Sequence, residues 1–166
     1  MQINSALFNI AFMNDDSKHD DSLLDLDMQV CFALYSAQLA MNKVYRKLLK
    51  ALGLTYPQYL VMMVLWEQDA QSVSEIGQRL YLDSATLTPL LKRLETAELV
   101  KRARSRADER QVEICLTSQG KALRKSAQSV PEAILCSTQC EPEHLRQLRD
   151  DLHALRGRLA DSDLAV

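Results

Sequence analysis

The sequence predicts a mainly α-helical fold with a small β-hairpin wing, a winged helix-turn-helix. Three observations predict it. Apolar residues recur at steps of three and four over residues 30–52, and again over 145–159. Between these stretches the apolar period drops from 3.6 to 2 over residues 99–116. Short, well-capped helical segments stand immediately before that change.

The first helix is written by Val30, Leu34, Ala37, Met41, Val44, Leu48 and Leu52, which form one apolar face. Asp25 or Asp27 is placed to cap its start, and Gly53 to end it. Thr55 caps a second helix with Pro57 in its first turn, running to about Gln68. A third starts at Ser72 or Ser74 and reaches about Leu80. Asp83 caps a fourth, SATLTPLLKRLETA, in which Pro89 predicts a local bend. A strand follows over 99–104. After a charged turn, Val112, Ile114 and Leu116 alternate with Gln111, Glu113 and Cys115. Thr117 or Ser118 caps the next helix, which Pro131 is expected to interrupt. The last helix carries Leu145, Leu148, Leu152, Leu155 and Leu159. The predicted order is a long helix, three shorter helices, a hairpin and two helices.

Domain organisation follows. Residues 1–24 are Asn/Asp/Ser-rich without a sustained period and are expected to form a mobile acidic tail. Residues 25–160 read as a single domain, with the winged helix at about 55–117 and helices at about 25–53 and 118–160. Residues 161–166 are a short tail. Apolar helix stripes commonly build an intrachain core. Here they flank a small unit with a core of its own, so the first and last helices are expected to pair two chains into a homodimer.

Composition narrows the class. The chain has 166 residues, 47% apolar and 25% charged, enough for one ordinary domain. Four Gly and four Pro exclude collagen-like and Pro-rich chains. The uncharged run 51–66 contains Pro, Gln and Tyr and falls short of a spanning helix, so no membrane partner is expected. No basic residue precedes the apolar stretch at the N-terminus, so a cytoplasmic location is expected. Net charge is -2, unevenly placed: residues 1–27 hold six Asp and one Lys. The segment KRARSRADER, residues 101–110, holds five basic and two acidic residues.

The fourth helix opens small and hydroxyl-rich. Ser84, Thr86 and Thr88, joined on the same helix by Lys92, suit base edges and phosphates in a major groove. Arg102, Arg104, Arg106 and Arg110 on the hairpin suit phosphate or a narrow minor groove. Each feature alone is also what a capped surface helix or a solvated charge run looks like. Their adjacency points to double-stranded operator DNA.

The stretch LYLDSATLTPLLKRLETAELVKRARSRADERQVEICLTSQG resembles the winged helix of the MarR (multiple antibiotic resistance regulator) family. That family's Asp-x-Arg wing motif is matched by Asp108 and Arg110. The segment QVCFALYSAQLAMNKVYRKLLKALGLTYPQYLVMMVLWE resembles its organic hydroperoxide resistance branch. The resemblance spans residues 24–160. It implies a dimeric repressor that loses DNA affinity when a cysteine is oxidised by an organic hydroperoxide, with Asp108 orienting Arg110 in the minor groove.

Cys31 lies near the start of the first helix, where amide dipoles favour a thiolate. Phe32, Tyr35, Tyr45 and Tyr56 are its aromatic company, and tyrosine hydroxyls donate to a thiolate without adding charge. By spacing alone a buried structural cysteine is the better fit, because free cysteine is commonly buried. The resemblance matches Cys31 to the peroxidatic cysteine. It matches Tyr45 and Tyr56 to a pair that hydrogen-bonds the thiolate from the partner subunit, and Tyr35 to a further nearby tyrosine. Cys136 and Cys140 stand at i and i+4; on one helix they share a face and pair badly with each other. The resemblance implies a two-cysteine sensor whose bridge crosses the dimer. Cys136 matches the resolving position, with Cys140 held in reserve. Cys115 alternates with strand residues and reads as structural. His19, His144 and His153 have no ligand spacing, so neither metal nor cofactor is expected.

No catalytic signature is present, so the protein is not expected to be an enzyme. Two alternatives stand beside this reading. A repressor of the same family released by a non-covalent phenolic or aromatic ligand responds without thiol loss. A thiol peroxidase or disulfide oxidoreductase turns over many peroxides and leaves the basic wing without a purpose.

Overall fold

A computed structural model describes residues 24–104 and 112–162. The chain divides into two compact units, Met1–Ala40 and Met41–Val166.

In the first unit, a 3-10 turn over Leu26–Met28 precedes helix α1, Val30–Leu49. Asp25 makes no side-chain cap bond; its carbonyl accepts from Met28 N–H at 3.2 Å and from the Gln29 amide at 3.4 Å. Asp25 thus starts the 3-10 turn through its backbone carbonyl, not its carboxylate. No side chain over residues 24–40 is buried, and Met28, Val30 and Leu34 are exposed.

The second unit starts with the remainder of α1, which tightens into a 3-10 turn over Lys50–Leu52. Gly53 ends it at φ 66, a left-handed value that glycine adopts without a Cβ clash. Helix α2, Tyr56–Glu67, begins where Gln58 Oε1 accepts from the Thr55 backbone N–H (2.8 Å) and hydroxyl (2.9 Å). Then come β1 (Gln71–Ser72), α3 (Val73–Leu80), α4 (Ser84–Thr96), β2 (Val100–Arg104) and β3 (Val112–Leu116). Three more helices follow: α5 (Ser118–Ala127), α6 (Ser129–Thr138) and α7 (Pro142–Ala160).

The late region differs from the expectation. It forms three helices rather than two. Its first break falls at Gln128, ahead of Pro131, which sits in the first turn of α6 where its missing N–H has no partner to lose. Helix α4 continues as one helix past Pro89 to Thr96. Cys136 and Cys140 do not share a helix, because α6 ends at Thr138 and Gln139 turns left-handed at φ 53.

The hairpin is part of a three-stranded antiparallel sheet in the order β1-β3-β2. Val100 pairs with Leu116, Arg102 with Ile114 and Arg104 with Val112, while Gln71 of β1 pairs with Ile114. The core sits beneath it: Val61, Met62, Leu65, Ile76, Leu87 and Ile114 are almost wholly buried, and Leu49 joins them from the end of α1. On α7, Leu148, Leu152 and Leu159 are exposed. Among the described residues, no single helix is long and apolar enough to cross a membrane.

Candidate functional site

Helices α3 and α4 form a helix-turn-helix whose local chemistry sets its geometry. Ser72 accepts from Glu75 N–H (3.2 Å), and Glu75 Oε2 accepts from the Ser72 N–H (2.7 Å), closing a capping box. Hydrogen bonds donated by the Ser72 N–H and, at 2.8 Å, by its hydroxyl hold the Glu75 carboxyl below its usual range. Tyr81 ends α3 in the left-handed region at φ 56, and Leu82 N–H donates to Gly77 O at 3.0 Å. A Cβ on Gly77 would meet Leu82 O at 2.8 Å, so the turn packs this tightly only against glycine. Asp83 caps α4 by accepting from Thr86 N–H at 2.6 Å, a bond that holds its carboxyl below the usual carboxylate range.

Burial of Leu87, Leu91 and Leu94 turns one side of α4 into the core. Ser84, Thr86, Thr88 and Lys92 are consequently exposed. Two of the three hydroxyls already have local partners: Thr88 donates to Ser84 O at 2.6 Å, and Thr86 bonds the Asp83 carboxylate. Arg102 and Arg104 lie on one face of β2, two residues apart, and both are exposed. Arg102 Nε lies 3.3 Å from Glu95 Oε2 on α4. Arg106, Asp108 and Arg110 lie outside the described residues.

The wing is anchored by Thr117 and by two groups that the sequence reading did not single out, Asp69 and Trp66. Asp69 Oδ1 accepts from Leu116 N–H at 2.7 Å and from Ala70 N–H at 2.9 Å, and Oδ2 pairs with Lys121 Nζ at 3.1 Å. Trp66 donates from its indole to Gly120 O at 2.9 Å. Thr117 caps α5 by accepting from Gly120 N–H (3.0 Å) while its hydroxyl donates to Glu98 O (2.6 Å). The base of the wing is thus tied to α2, α4 and α5.

The structure brings Tyr45 and Tyr56 together as a stacked pair, with ring centroids 4.1 Å apart. Burial, and then the neighbouring Tyr56 and Tyr59, push the Tyr45 phenol up to about 12. Tyr59, buried 6.2 Å from Tyr45, completes the aromatic cluster. Its spacing in sequence is indistinguishable from packing, which is why only the structure reveals it. In the other unit, Cys31 is the second residue of α1 and is exposed, with Phe32 and Tyr35 rings 6.5 Å apart beside it. Cys136 sits in the last turn of α6 and Cys140 beyond it, both exposed. All four cysteines are free thiols. Cys115 is half-buried on β3; burial, then Asp69 and Glu113, push its thiol up. Among the described residues, no group of three His, Cys, Asp or Glu side chains is placed to hold a metal ion.

A helix-turn-helix with a capped, hydroxyl-rich second helix and a basic antiparallel wing defines a winged-helix DNA-binding protein. Comparison with known proteins specifies the kind. Residues 43–126 match the family model described as transcriptional regulator SarA/Rot. The chain is 45% identical over 132 residues to the organic hydroperoxide resistance transcriptional regulator of Bacillus subtilis (strain 168), covering 80% of this chain and 90% of that one. It is 49% identical over 144 residues to the regulator TtmR of Methylorubrum extorquens (strain PA1), covering 82% and 74%. Reduced AbfR bound to DNA has a TM-score of 0.67 at 37% identity, over 85% of this chain and 99% of that one. AbfR of Staphylococcus epidermidis is also solved in a disulfide form, with a TM-score of 0.57 at 40% identity, over 81% and 95%. The chain belongs to the MarR/SarA family of transcriptional regulators. It is a DNA-binding regulator and not an enzyme.

Proposed function

We propose that the protein is a cytoplasmic, homodimeric repressor that senses organic hydroperoxides at Cys31 and leaves its operator when oxidised. The observation that carries this reading is the 45% identity, over most of both chains, to a regulator named for organic hydroperoxide resistance. The exposure of the Cys31 thiol at the start of α1 supports it, because a peroxide must reach the sulfur. The exposed apolar residues of α1 and α7 support the dimer: left in water, they are an unfavourable surface that a second chain removes.

In this reading Ser84, Thr86, Thr88 and Lys92 enter the major groove, and Arg102, Arg104, Arg106 and Arg110 hold phosphate and minor groove, with Asp108 orienting Arg110. Phe32, Tyr35, Tyr45 and Tyr56 line the peroxide pocket. The Cys31 thiolate attacks the distal peroxide oxygen, the O–O bond breaks, and the alkoxide leaves as an alcohol. Cys31 becomes a sulfenic acid. The Cys136 thiolate of the partner subunit then attacks the Cys31 sulfur, water leaves, and a disulfide joins the subunits. A difference of a few kcal/mol between the two dimer geometries empties the operator.

The test is binding to an operator-library DNA before and after one equivalent of cumene hydroperoxide, then after dithiothreitol. Binding is expected to vanish and return. A Cys31→Ser protein is expected to stay bound; if it is released equally by peroxide, Cys31 is not the sensor.

A further inference from the structure

The end of α6 leaves two exposed thiols, Cys136 and Cys140, on either side of a left-handed break. In a continuous helix, Cys136 and Cys140 side chains would run parallel and could not close a disulfide. The left-handed Gln139, φ 53 and ψ 25, breaks that alignment between them. The chain folds back at this point: Gln139 N–H donates to Cys136 O (3.4 Å), and Cys140 N–H donates to Thr138 Oγ1 (3.4 Å). Cys140 Sγ–H donates to Thr138 O at 3.3 Å, a weak bond that is readily given up. Both sulfurs belong to exposed residues, and three residues separate them, so little entropy opposes closing the ring.

We propose that Cys136 and Cys140 form an intrachain disulfide that takes over the oxidation from the intersubunit bridge. The proposal rests on the Cys31–Cys136 bridge of the preceding section. The Cys140 thiolate attacks the Cys136 sulfur; the Cys136–Cys140 bond forms as the Cys31–Cys136 bond breaks, and Cys31 leaves as a thiolate. The exchange itself transfers no net electrons. Over the whole sequence, one hydroperoxide is reduced to an alcohol and water while Cys136 and Cys140 lose two electrons. The covalent dimer is then transient, and Cys31 is restored to meet a second peroxide.

Both cysteines fall in one tryptic peptide, residues 126–146, so the linked form is read directly as a peptide two hydrogens lighter that resists alkylation. Full-length protein is treated with one equivalent of cumene hydroperoxide, quenched with an alkylating agent over time, and split between non-reducing gels and mass spectrometry. The covalent dimer is expected to rise and fall as the linked peptide accumulates. Cys140→Ser is expected to stop at the dimer, and Cys31→Ser to give neither product. A persistent dimer in the wild type with no linked peptide overturns the transfer while leaving the bridge intact. Linked peptide in Cys31→Ser at the wild-type rate overturns it too, because the pair is then oxidised directly. No dimer in either wild type or Cys140→Ser overturns the bridge, and the transfer with it.

Discussion

Arg102 on the wing strand β2 reaches back to Glu95 near the end of α4, with Nε 3.3 Å from Oε2. The pair holds one of the wing's basic side chains beside an acid instead of leaving its charge open to DNA. Each partner is about two-fifths exposed, so the contact adds little to folding, ~0–1 kcal/mol. If Arg102 meets a phosphate, its effect on DNA is larger, since an acid beside that contact repels the duplex. Glu95→Gln is expected to tighten operator binding several-fold at moderate salt. It is also expected to steepen the salt dependence by about one counterion, a slope change of about 0.9. Arg102→Ala is expected to do the opposite, and neither change should move the melting temperature appreciably. Equal salt slopes for Glu95→Gln and wild type would place Arg102 away from the phosphates.

The stacked Tyr45 and Tyr56 rings separate packing from hydrogen bonding. Phenylalanine keeps the stack and removes only a hydroxyl. With its phenol pushed up to about 12, Tyr45 keeps its proton throughout the neutral range and remains a donor. If the pair stabilises the Cys31 thiolate, each Phe substitution should slow the reaction with organic hydroperoxide by about tenfold, the loss of one hydrogen bond to a charged sulfur. The DNA affinity of the reduced protein should not change. Stopped-flow thiol oxidation checks this, and wild-type rates in both variants would assign the tyrosines to the core alone.

What the sequence made legible was what local chemistry controls. Ser72, Asp83 and Thr117 announce helix starts because their side chains accept from N–H groups within three residues, and Thr55 does so because Gln58, three residues on, accepts from its N–H and hydroxyl. The period-2 run at 112–116 announces β3 for the same local reason. The features that escaped are set by distant partners or by weak signals. β1 has two residues, too few for a period, and exists because β3 pairs with it. Asp69 acts on Leu116, 47 residues away. The end of α6 carries no glycine, since Gln139 takes the left-handed conformation itself. For the candidate site, the family resemblance singled out Tyr45 and Tyr56. Tyr59, the buried third member of that cluster, looked like any other core residue.

Glycine contacts give a sharp stability contrast. A Cβ on Gly120 would lie 2.0 Å from Leu99 O and 3.0 Å from Leu99 C, both backbone atoms of the strand approach. Neither can swing aside as a side-chain end would. Gly120→Ala should therefore push α5 off the sheet and loosen the Trp66 bond to Gly120 O, at a cost of about 3 kcal/mol. That corresponds to a drop of roughly 6–12 °C in Tm. Gly157, inside α7, has nothing within 4 Å of the added Cβ. Gly157→Ala should be neutral or stabilising by up to about 1 kcal/mol through helix propensity alone. Calorimetry on both variants checks the contrast, and a Gly120→Ala protein melting with the wild type would contradict the packing at that junction.

Asp69 makes the anchoring of the wing depend on pH. Burial alone would push its carboxyl up, but the Leu116 N–H, the Lys121 ammonium and the Ala70 N–H together hold it below the ordinary 3.8. The folded state therefore binds a proton at this site less readily than the unfolded chain does. The contribution is complete at neutral pH, begins to fade as the pH falls through the ordinary carboxylate range, and is gone below the lowered folded value. Asp69→Ala leaves the Leu116 N–H without its acceptor and should cost about 1–3 kcal/mol at neutral pH. Asp69→Asn keeps an acceptor oxygen and loses only the charge, so its cost should be smaller. Urea unfolding of wild type and Asp69→Ala from neutral pH into the acid range should show the two stabilities converging as the unfolded chain's Asp69 carboxyl takes up its proton. A difference that stays constant over that range would mean that the aspartate acts through packing rather than charge.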